Sequence, residues 1–567
     1  MARPRWKILP APPDALVRKL VEDGFPPLAA TVLAQRGYSD PDAIADYLQP
    51  RLSSLPSPDA LAGLGSASLL IADAIQSGRR ICVYGDYDVD GTTATSLLVD
   101  FITRAGFPIE YLIPNRFESG YGFHAHLVED LAARGIGLVI TVDTGITGHE
   151  ACARARKLGV RTIITDHHEI GDALPDADAI INPHQAGCEF GDHHLTGVGL
   201  AFFLAAGVRA ELDRRGMARR DDLDLRPMLD LVALGTIADM APVNGINRPL
   251  VSTGLRLLGE ETRLGIKALK AAAGMAGKSM EYGSVSFGLA PRLNAAGRMA
   301  HAGEVVRLLT TEDPEIANAI AKDLDAENAR RQQVEHAIHE QARKQVLANP
   351  HGDKLRSLVL AGENWHAGVI GIVAGRVLEE FYRPCIVIAF DGDVGKGSGR
   401  SVRGFDLHAA LAACAPHLIQ FGGHRMAAGL SVERARLFDF MSAFERYARA
   451  NLRDEDLVPE LDIVAECRIG DIDERTAARI EAMAPFGIGN PMPVFAARNV
   501  RVIDKRLMKE QHLRLRLADG AKVVTAMGWR MADRFGEIGD SADVAFQIGF
   551  NTWNGRRELQ LTIKDIL

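Results

Sequence analysis

The sequence predicts an α/β protein: a doubly wound parallel sheet, a long connecting helix, a second and smaller α/β domain, and a C-terminal β-barrel. Three observations carry this. Short β-rich runs alternate with helical segments from residue 79 onward, one uninterrupted helical stretch follows Asp313-Pro314, and strand-and-turn patterns take over after Asp454.

Residues 1–78 are Pro-rich and helical in pattern and read as an N-terminal extension. Over 79–312 the runs Arg80-Ile81-Cys82-Val83-Tyr84, Ile109-Glu110-Tyr111-Leu112-Ile113, Leu138-Val139-Ile140-Thr141-Val142 and Val160-Arg161-Thr162-Ile163-Ile164 look like strands buried on both faces. Segments such as 92–103 and 148–158 look like crossover helices, which implies a parallel sheet with ligands at the strands' carboxyl ends. Asp313-Pro314 offers an N-cap followed by proline at the first helical position. No Gly or Pro interrupts 315–346, so 313–350 is expected to be one polar helix, roughly 48 Å over that run at 1.5 Å per residue. A polar helix of that length suits a strut between domains. Residues 351–453 open with Leu358-Val359-Leu360 and read as the second α/β domain. Over 454–567 five or six strands, with Asn554-Gly555 as a hairpin signal, read as a small barrel of OB-fold type.

The chain of 567 residues is too long for one core. With 47% hydrophobic and 24% charged residues it has the balance of ordinary globular domains. It contains no ~20-residue apolar run of the kind that spans a membrane. Residues 1–13 lack the apolar region of a secretory signal, so a cytoplasmic setting is expected. Six scattered cysteines without a CxxC pair exclude a zinc knuckle and argue against a disulfide scaffold. The net charge of −8 does not exclude a nucleic-acid partner. Local basic stretches exist at Arg209–Arg220 and Arg501–Arg516, although such runs also form solvated faces.

Chemistry concentrates where strands should end. Val83-Tyr84-Gly85-Asp86-Tyr87-Asp88-Val89-Asp90-Gly91, Thr141-Val142-Asp143-Thr144-Gly145, Thr165-Asp166-His167-His168 and Gly235-Thr236-Ile237-Ala238-Asp239-Met240 place carboxylates and imidazoles at the edge of an apolar sheet. Such charges are costly unless neutralised, and hard divalent cations held by carboxylate oxygens and an imidazole do that. In an extended segment Asp86 and Asp88 point the same way. An isolated DxD could be a mere acidic turn; its repetition at Asp143, His167 and Asp239 argues for a cage for two ions. Two cations about 3.5–4 Å apart can ready water and clamp the scissile phosphate oxygens. Asp143, alone at its strand end, is the expected bridge, and His168 could hydrogen-bond or protonate the phosphoryl group. A second triplet, Asp192-His193-His194, has no strand delivering it and reads as a surface loop.

Substrate contacts are sought elsewhere. Gly395-Lys396-Gly397-Ser398-Gly399-Arg400-Ser401-Val402-Arg403 is Gly-rich, hydroxyl-bearing and basic; read as a loop, it would surround a phosphate with backbone N–H groups, Ser398 and Arg400. It lacks Walker A spacing. Gly422-Gly423-His424 adds a donor, and Asn115-Arg116-Phe117 and Pro291-Arg292-Leu293-Asn294-Ala295-Ala296-Gly297-Arg298 add further polar groups. In the barrel His512-Leu513-Arg514-Leu515-Arg516-Leu517 alternates between an apolar and a basic face, which with Trp529, Phe550 and Trp553 nearby suits single-stranded nucleic acid.

These motifs together resemble the DHH phosphoesterase superfamily, named for the triplet seen here as Asp166-His167-His168. With Trp365-His366-Ala367-Gly368-Val369-Ile370-Gly371, Gly422–Gly429 and Phe486-Gly487-Ile488-Gly489-Asn490-Pro491, the chain is similar to the RecJ family from about residue 80 onward. The resemblance implies a DHH domain over 79–312, a DHH-associated substrate-binding domain over 351–453 and an OB-fold nucleic-acid-binding domain over 454–567. It implies an exonuclease specific for single-stranded DNA that works 5′ to 3′, releases mononucleotides, uses two Mn2+ or Mg2+ ions and serves repair and recombination. Single-strand-binding protein and a RecQ-type helicase are the partners it suggests. Carried across, Asp86, Asp88, Asp143, His167 and Asp239 match metal ligands. His168 matches a phosphate-contacting catalytic residue, with Asp90 supporting the cage. Arg116, Arg292, Asn294, Arg298, Ser398, Arg400 and His424 match substrate-binding positions. Tyr84 departs from the histidine of some relatives. The family reading leads us to expect the Ser398/Arg400 lobe to face the metal site, with duplexes excluded from the gap by their width. Rival readings are a DHH phosphoesterase acting on nanoRNA, cyclic dinucleotides or pyrophosphate, a non-catalytic single-strand-binding scaffold, and a nucleotide-sensing module.

Overall fold

Branched apolar strands separated by helices can satisfy their backbone and bury both faces only as a covered parallel sheet. The computed structural model describes residues 3–115, 120–219, 222–299, 302–349, 352–553 and 555–567, and the chain divides into two compact units. One comprises 41–328 with 483–492, the other 1–40, 329–482 and 493–567. The N-terminal stretch, read from the sequence as one extension through residue 78, is therefore shared between them. Its helix Leu64–Gln76 buries Leu64, Ala67 and Ile71 in the core of the first unit.

The sheet of that unit runs Glu110–Leu112, Ile81–Gly85, Leu138–Val142, Arg161–Thr165, Ala179–Ile181, parallel throughout. Alternate residues feed two cores. Val83, Ile140 and Ile163 face the helices Val89–Arg104 and Gly197–Arg214. Tyr84, Val139 and Ile164 face Ala125–Ala133 and His149–Lys157. Glu110–Leu112 was expected to be buried on both faces; it is half-buried because it is the sheet's edge strand. The first strand in sequence sits beside the second on one side and the third on the other, so strand order reverses between Ile81–Gly85 and Leu138–Val142. Such a switch point opens a crevice at the carboxyl ends of the two strands. In register, Gly85 pairs with Val142, Val142 with Thr165 and Thr165 with Ile181. One residue further on stand Asp86, Asp143, Asp166 and Asn182.

Pro314–Ala348 is one 35-residue helix, capped by the Asp313 carboxylate, which accepts from Glu315 N at 2.8 Å. It is less uniformly polar in effect than its composition suggests. Ala317, Ile320, Ala321 and Leu324 enter the core of the first unit; Ile338, Ala342 and Val346 enter a core of the second.

The second unit holds a mixed sheet ordered Gln420–Gly423, Ala427–Glu433, Val394–Arg400, Cys385–Asp391, Leu358–Glu363. The Gly-rich segment read as a phosphate-cradling loop is here the strand Val394–Arg400, paired on both sides. Its glycines answer to packing. A Cβ on Gly395, Gly397 or Gly399 would lie 2.6 Å from Ile388, 2.8 Å from Leu430 or 2.8 Å from Leu407, while the period of two leaves Ser398 and Arg400 together on the opposite face. The C-terminal strands Phe495–Met508, His512–Asp519, Lys522–Gly528, Ser541–Trp553 and Arg556–Ile566 form a barrel, closed by pairing of the first with Ser541–Trp553. Leu513, Leu515 and Leu517 fill its interior and Arg516 lies outside. The N-terminal strand Arg5–Ile8 pairs in parallel with Glu460–Ile463. Among the described residues no single helix is long and apolar enough to cross a membrane.

Because Gly397 sits under Leu430 and Ile388 in a packed face, Gly397→Val is expected to destabilise the protein by about 1–3 kcal/mol. A lowered urea midpoint of the corresponding transition reads this out.

Candidate metal centre

The acids at the switch point are delivered by different local devices. Asp88 is the N-cap of Val89–Arg104 and accepts from Gly91 N at 3.0 Å. Glycine is required at 91, since a Cβ would lie 2.6 Å from Asp86 O. Asp143 stands at φ 60°, a left-handed conformation that an L residue holds only when its surroundings enforce it. Gly197, at the head of Gly197–Arg214, allows that helix to approach: a Cβ there would lie 2.5 Å from Asp143 Cβ. Asp90 lies in the first turn of its helix and accepts from Gly197 N at 2.6 Å and Val198 N at 2.9 Å. The N-terminus of the neighbouring helix thus holds this carboxylate by hydrogen bonds and dipole. Asp239 corrects one expectation. It follows no strand but is the C-cap of the helix Leu229–Ala238, because the apolar run before it is buried on all sides among other helices.

The groups meet. His167 Nε2 is 3.1 Å from Asp143 Oδ1, 3.7 Å from Asp90 Oδ2 and 3.8 Å from Asp239 Oδ2. Three overlapping sets have ligand atoms within 4.8 Å of one another: Asp86, Asp88 and Asp143; Asp90, His167 and Asp239; Asp143, His167 and His168. Asp143 and His167 each belong to two of them. Asp143 Oδ1 and His167 Nε2 are buried without a hydrogen-bond partner of acceptable geometry. At 3.1 Å apart, both atoms could reach a single cation. Oxygen-rich donors with one imidazole and two unsatisfied buried lone pairs fit hard divalent cations.

Electrostatics agree. Burial, then repulsion from Asp90, Asp88, Asp86 and Asp239, pushes Asp143 well above the usual carboxylate range. Burial and Asp88 raise Asp90 to about 7; burial, Asp90 and Asp88 raise Asp239 to about 8. Without cations the cage holds protons that cations would displace. The two histidines diverge. Burial and the positive charge of His168 lower His167 to about 4, leaving it neutral and able to ligate. Burial opposes charge on His168 too, but the Asp166 carboxylate 2.7 Å from its Nδ1 outweighs that and lifts it to about 9. Asp166 also accepts from Ile146 N at 2.9 Å, so the triplet's first residue orients its last.

A cleft of about 350 Å³ opens on this centre, lined by Asp86, Asp88, Tyr121, His168, Asn294 and Gly297 among others. Tyr121 was missed in the sequence: its hydroxyl is 3.1 Å from His168 Nδ1, and only the fold brings the two together. Asn294 lines the cleft as expected. Arg292 does not stand with it, donating instead to Asp325 at 2.8 Å and Gly288 O at 2.7 Å. Arg116 and the side chain of Arg298 lie outside the described residues. Tyr84 is buried, its hydroxyl donating to Gly122 O at 3.0 Å. The second triplet is a loop clasp: Asp192 accepts from His194 N and Ile246 N, and His193 stacks on His184. The basic run near Arg214 and Arg215 is spent on Glu211.

In the second unit Arg400 Nη1 is 3.3 Å from Ser398 Oγ. Both abut Gly371 at the head of the helix Ile370–Phe381, where a Cβ would lie 3.0 Å from Ser398 Oγ. Arg400 pairs in register with Ala427, whose carbonyl accepts from His424 N at 2.8 Å. Guanidinium, hydroxyl and helix N-terminus thus share one region, a set of donors suited to phosphate.

Known proteins are similar to this chain in sequence and fold. Family models match for the DHH family, N-terminal domain, at residues 80–236, the DHHA1 domain at 354–450 and the RecJ OB domain at 463–565. The single-stranded-DNA-specific exonuclease RecJ of Salmonella typhimurium is 36% identical over 96% of this chain and 96% of its own length. That of Bacillus subtilis is 35% identical over 99% of this chain and 70% of its own. The crystal structure of RecJ in complex with Mn2+ from Thermus thermophilus superposes with a TM-score of 0.84 at 32% identity, covering all of this chain and 80% of that one. Its counterpart with Mg2+ gives a TM-score of 0.79. A switch-point acid cluster, a DHH triplet with divided histidines, and RecJ relatives about 35% identical over nearly the whole of this chain place it in the RecJ family of the DHH superfamily.

Proposed function

We propose that the protein is a metal-dependent exonuclease that hydrolyses single-stranded DNA from the 5′ end to mononucleotides, with two Mn2+ or Mg2+ ions, in repair and recombination. The observation that carries this reading is the buried pair of Asp143 Oδ1 and His167 Nε2, bare and 3.1 Å apart inside a ring of carboxylates. Asp86, Asp88, Asp143, His167 and Asp239 would hold the ions, with Asp143 shared. Divalent cations held there supply Lewis acidity toward phosphoryl oxygens and water. The chain's own residues do the rest. His168, charged and oriented by Asp166, presents an N–H to the phosphoryl group or its leaving oxygen. Asp90 fixes the cluster against a helix N-terminus, and Asn294 contacts the strand in the cleft. Ser398, Arg400 and His424 bind further phosphates, with Arg116 and Arg298 as additional candidates. The barrel's Arg516 and the exposed Trp529 offer backbone neutralisation and a stacking face. The names of the relatives support the substrate class; a 5′ to 3′ polarity, a cytoplasmic setting, and single-strand-binding protein and a RecQ-type helicase as partners belong to the same proposal.

The direct test is a digest of 5′-labelled single- and double-stranded DNA with Mn2+, beside Asp143→Ala. Label should leave as mononucleotide from the single strand alone. The variant should lose more than the roughly 10–100-fold typical of an outer supporting partner. Digestion of the duplex at an equal rate would reject single-strand specificity.

The pH dependence has a defined sign. Asp90 and Asp239, raised to about 7 and about 8, compete with cations below those values. Activity at subsaturating Mn2+ should therefore rise through pH 7–8, and fall above about 9 as His168 loses its proton. In the metal-free protein the raised carboxyl pKa values favour the folded state at low pH, a contribution that fades as pH rises toward 8. Mn2+ should accordingly raise the Tm more at pH 8 than at pH 6, as scanning calorimetry would show.

A further inference from the structure

Phe486-Gly487-Ile488-Gly489-Asn490-Pro491 carries part of the family resemblance, yet the chemistry above uses none of it. In sequence it falls between the helix Glu474–Glu481 and the barrel strand Phe495–Met508. In space residues 483–492 belong to the unit that contains the acid cluster.

The segment is a tight, internally locked turn. Gly487 and Asn490 exchange backbone hydrogen bonds at 3.0 and 3.1 Å. The buried Asn490 side chain donates to Met483 O at 3.0 Å and Pro485 O at 2.7 Å, and accepts from Tyr47 Oη at 2.9 Å. Arg248, 4% exposed, lies 4.1 Å over the Tyr47 ring and donates to Met483 O and Ala484 O, both at 2.9 Å. Gly487 passes beneath Tyr282, where a Cβ would lie 2.5 Å from the ring.

The tip of this turn grips the chain just beyond Asp239. Ile488 O accepts from Val243 N at 2.8 Å. Gly489, at φ 75°, sits where a Cβ would lie 2.9 Å from Pro242 and 3.0 Å from Asn244. Val243 is four residues from Asp239, at most about 14 Å of chain. Between them Met240 holds φ 60° and is 63% exposed, a non-glycine residue in the left-handed region with little packing of its own. Asp239 is held by its helix, whose last carbonyls also accept from Met240 N and Ala241 N at 3.2 Å, and the turn grips the chain that follows, at Pro242 to Asn244. Its carboxyl faces Asp90 and His167 in the cluster.

We propose that the 486–491 turn is a positioning clamp for the Asp239 loop, setting the cation affinity of the acid cluster, and that it is not a nucleic-acid contact. Asn490, Tyr47 and Gly489 are its positioning residues. The proposal rests on the reading of Asp239 as a metal ligand, so the experiment separates the two. Full-length wild type, Tyr47→Phe, Gly489→Ala, Asn490→Ala and Asp239→Asn are titrated with Mn2+ by calorimetry without DNA. Binding of a single-stranded oligonucleotide in EDTA and exonuclease rate against Mn2+ concentration are measured alongside. Each turn variant should weaken Mn2+ binding by about tenfold or more, recover its rate at saturating Mn2+, and bind the oligonucleotide as wild type does. Tyr47→Phe removes one hydroxyl and keeps the packing, so a folded variant is available even if Asn490→Ala is not. If Asp239→Asn leaves Mn2+ binding intact, the ligand assignment itself fails. If Asp239→Asn weakens Mn2+ binding while folded turn variants titrate like wild type with only a lower Tm, the clamp is overturned. Loss of oligonucleotide affinity with an unchanged Mn2+ titration overturns it too, making the turn a DNA contact.

Discussion

Like charges buried together at the aligned ends of a parallel sheet are the constraint on which this molecule is organised. Asp86, Asp88, Asp90, Asp143 and Asp239 are brought into one small volume, with Asp86, Asp90 and Asp143 almost wholly shielded from water. Such a cluster is tolerable only if protons or cations occupy it. The fold concedes what it can to the negative charge. Asp88 caps one helix and Asp90 takes the first amides of another, so two helix N-termini point into the centre. The residual repulsion makes the site avid for hard cations.

Within that field adjacent imidazoles take opposite roles because their surroundings differ. His167 is desolvated and faces carboxylates while feeling the charge of His168; it stays neutral and offers a lone pair. His168 is more open, with Asp166 at 2.7 Å, and keeps its proton. One sequence triplet thus yields an orienting acid, a neutral imidazole free to ligate and a proton-bearing imidazole. Divergent pKa values in neighbouring titratable groups are how acid and base roles are assigned in a single site. The Asp192 triplet, identical in composition, does none of this because no strand end delivers it to the cluster.

The face of the second unit that carries Ser398 and Arg400 rests on a strand that looks unlike one. Glycine at every second position normally weakens a strand. Here each glycine admits a large apolar neighbour, and the ladder on both sides supplies the order that side chains do not. The outcome is an ordered display of Ser398 and Arg400 on a paired strand in place of a loop.

Much was legible in the sequence because it depends on local pattern. Apolar runs of strand length announced the parallel sheet, and with the sheet came the convergence of Asp86, Asp143 and the triplet at its carboxyl edge. An N-capped run without Gly or Pro announced the long helix, and alternation in 512–517 fixed which face of the barrel is basic. Asp239 was found as a site residue on the wrong kind of element, since an apolar run buried among helices and one buried in a sheet look alike in sequence. Arg292 and Tyr121 show the reverse: a guanidinium near the motif turned to Asp325, and an unremarked tyrosine reached His168. Neither choice is local. The sequence by itself determined which groups could bind metal and phosphate, through residue type and periodicity. Only the tertiary structure decided which of them meet, and that residues 483–492 fold back from the C-terminal stretch to hold the Asp239 loop, because contacts between segments hundreds of residues apart leave no periodic trace in the chain.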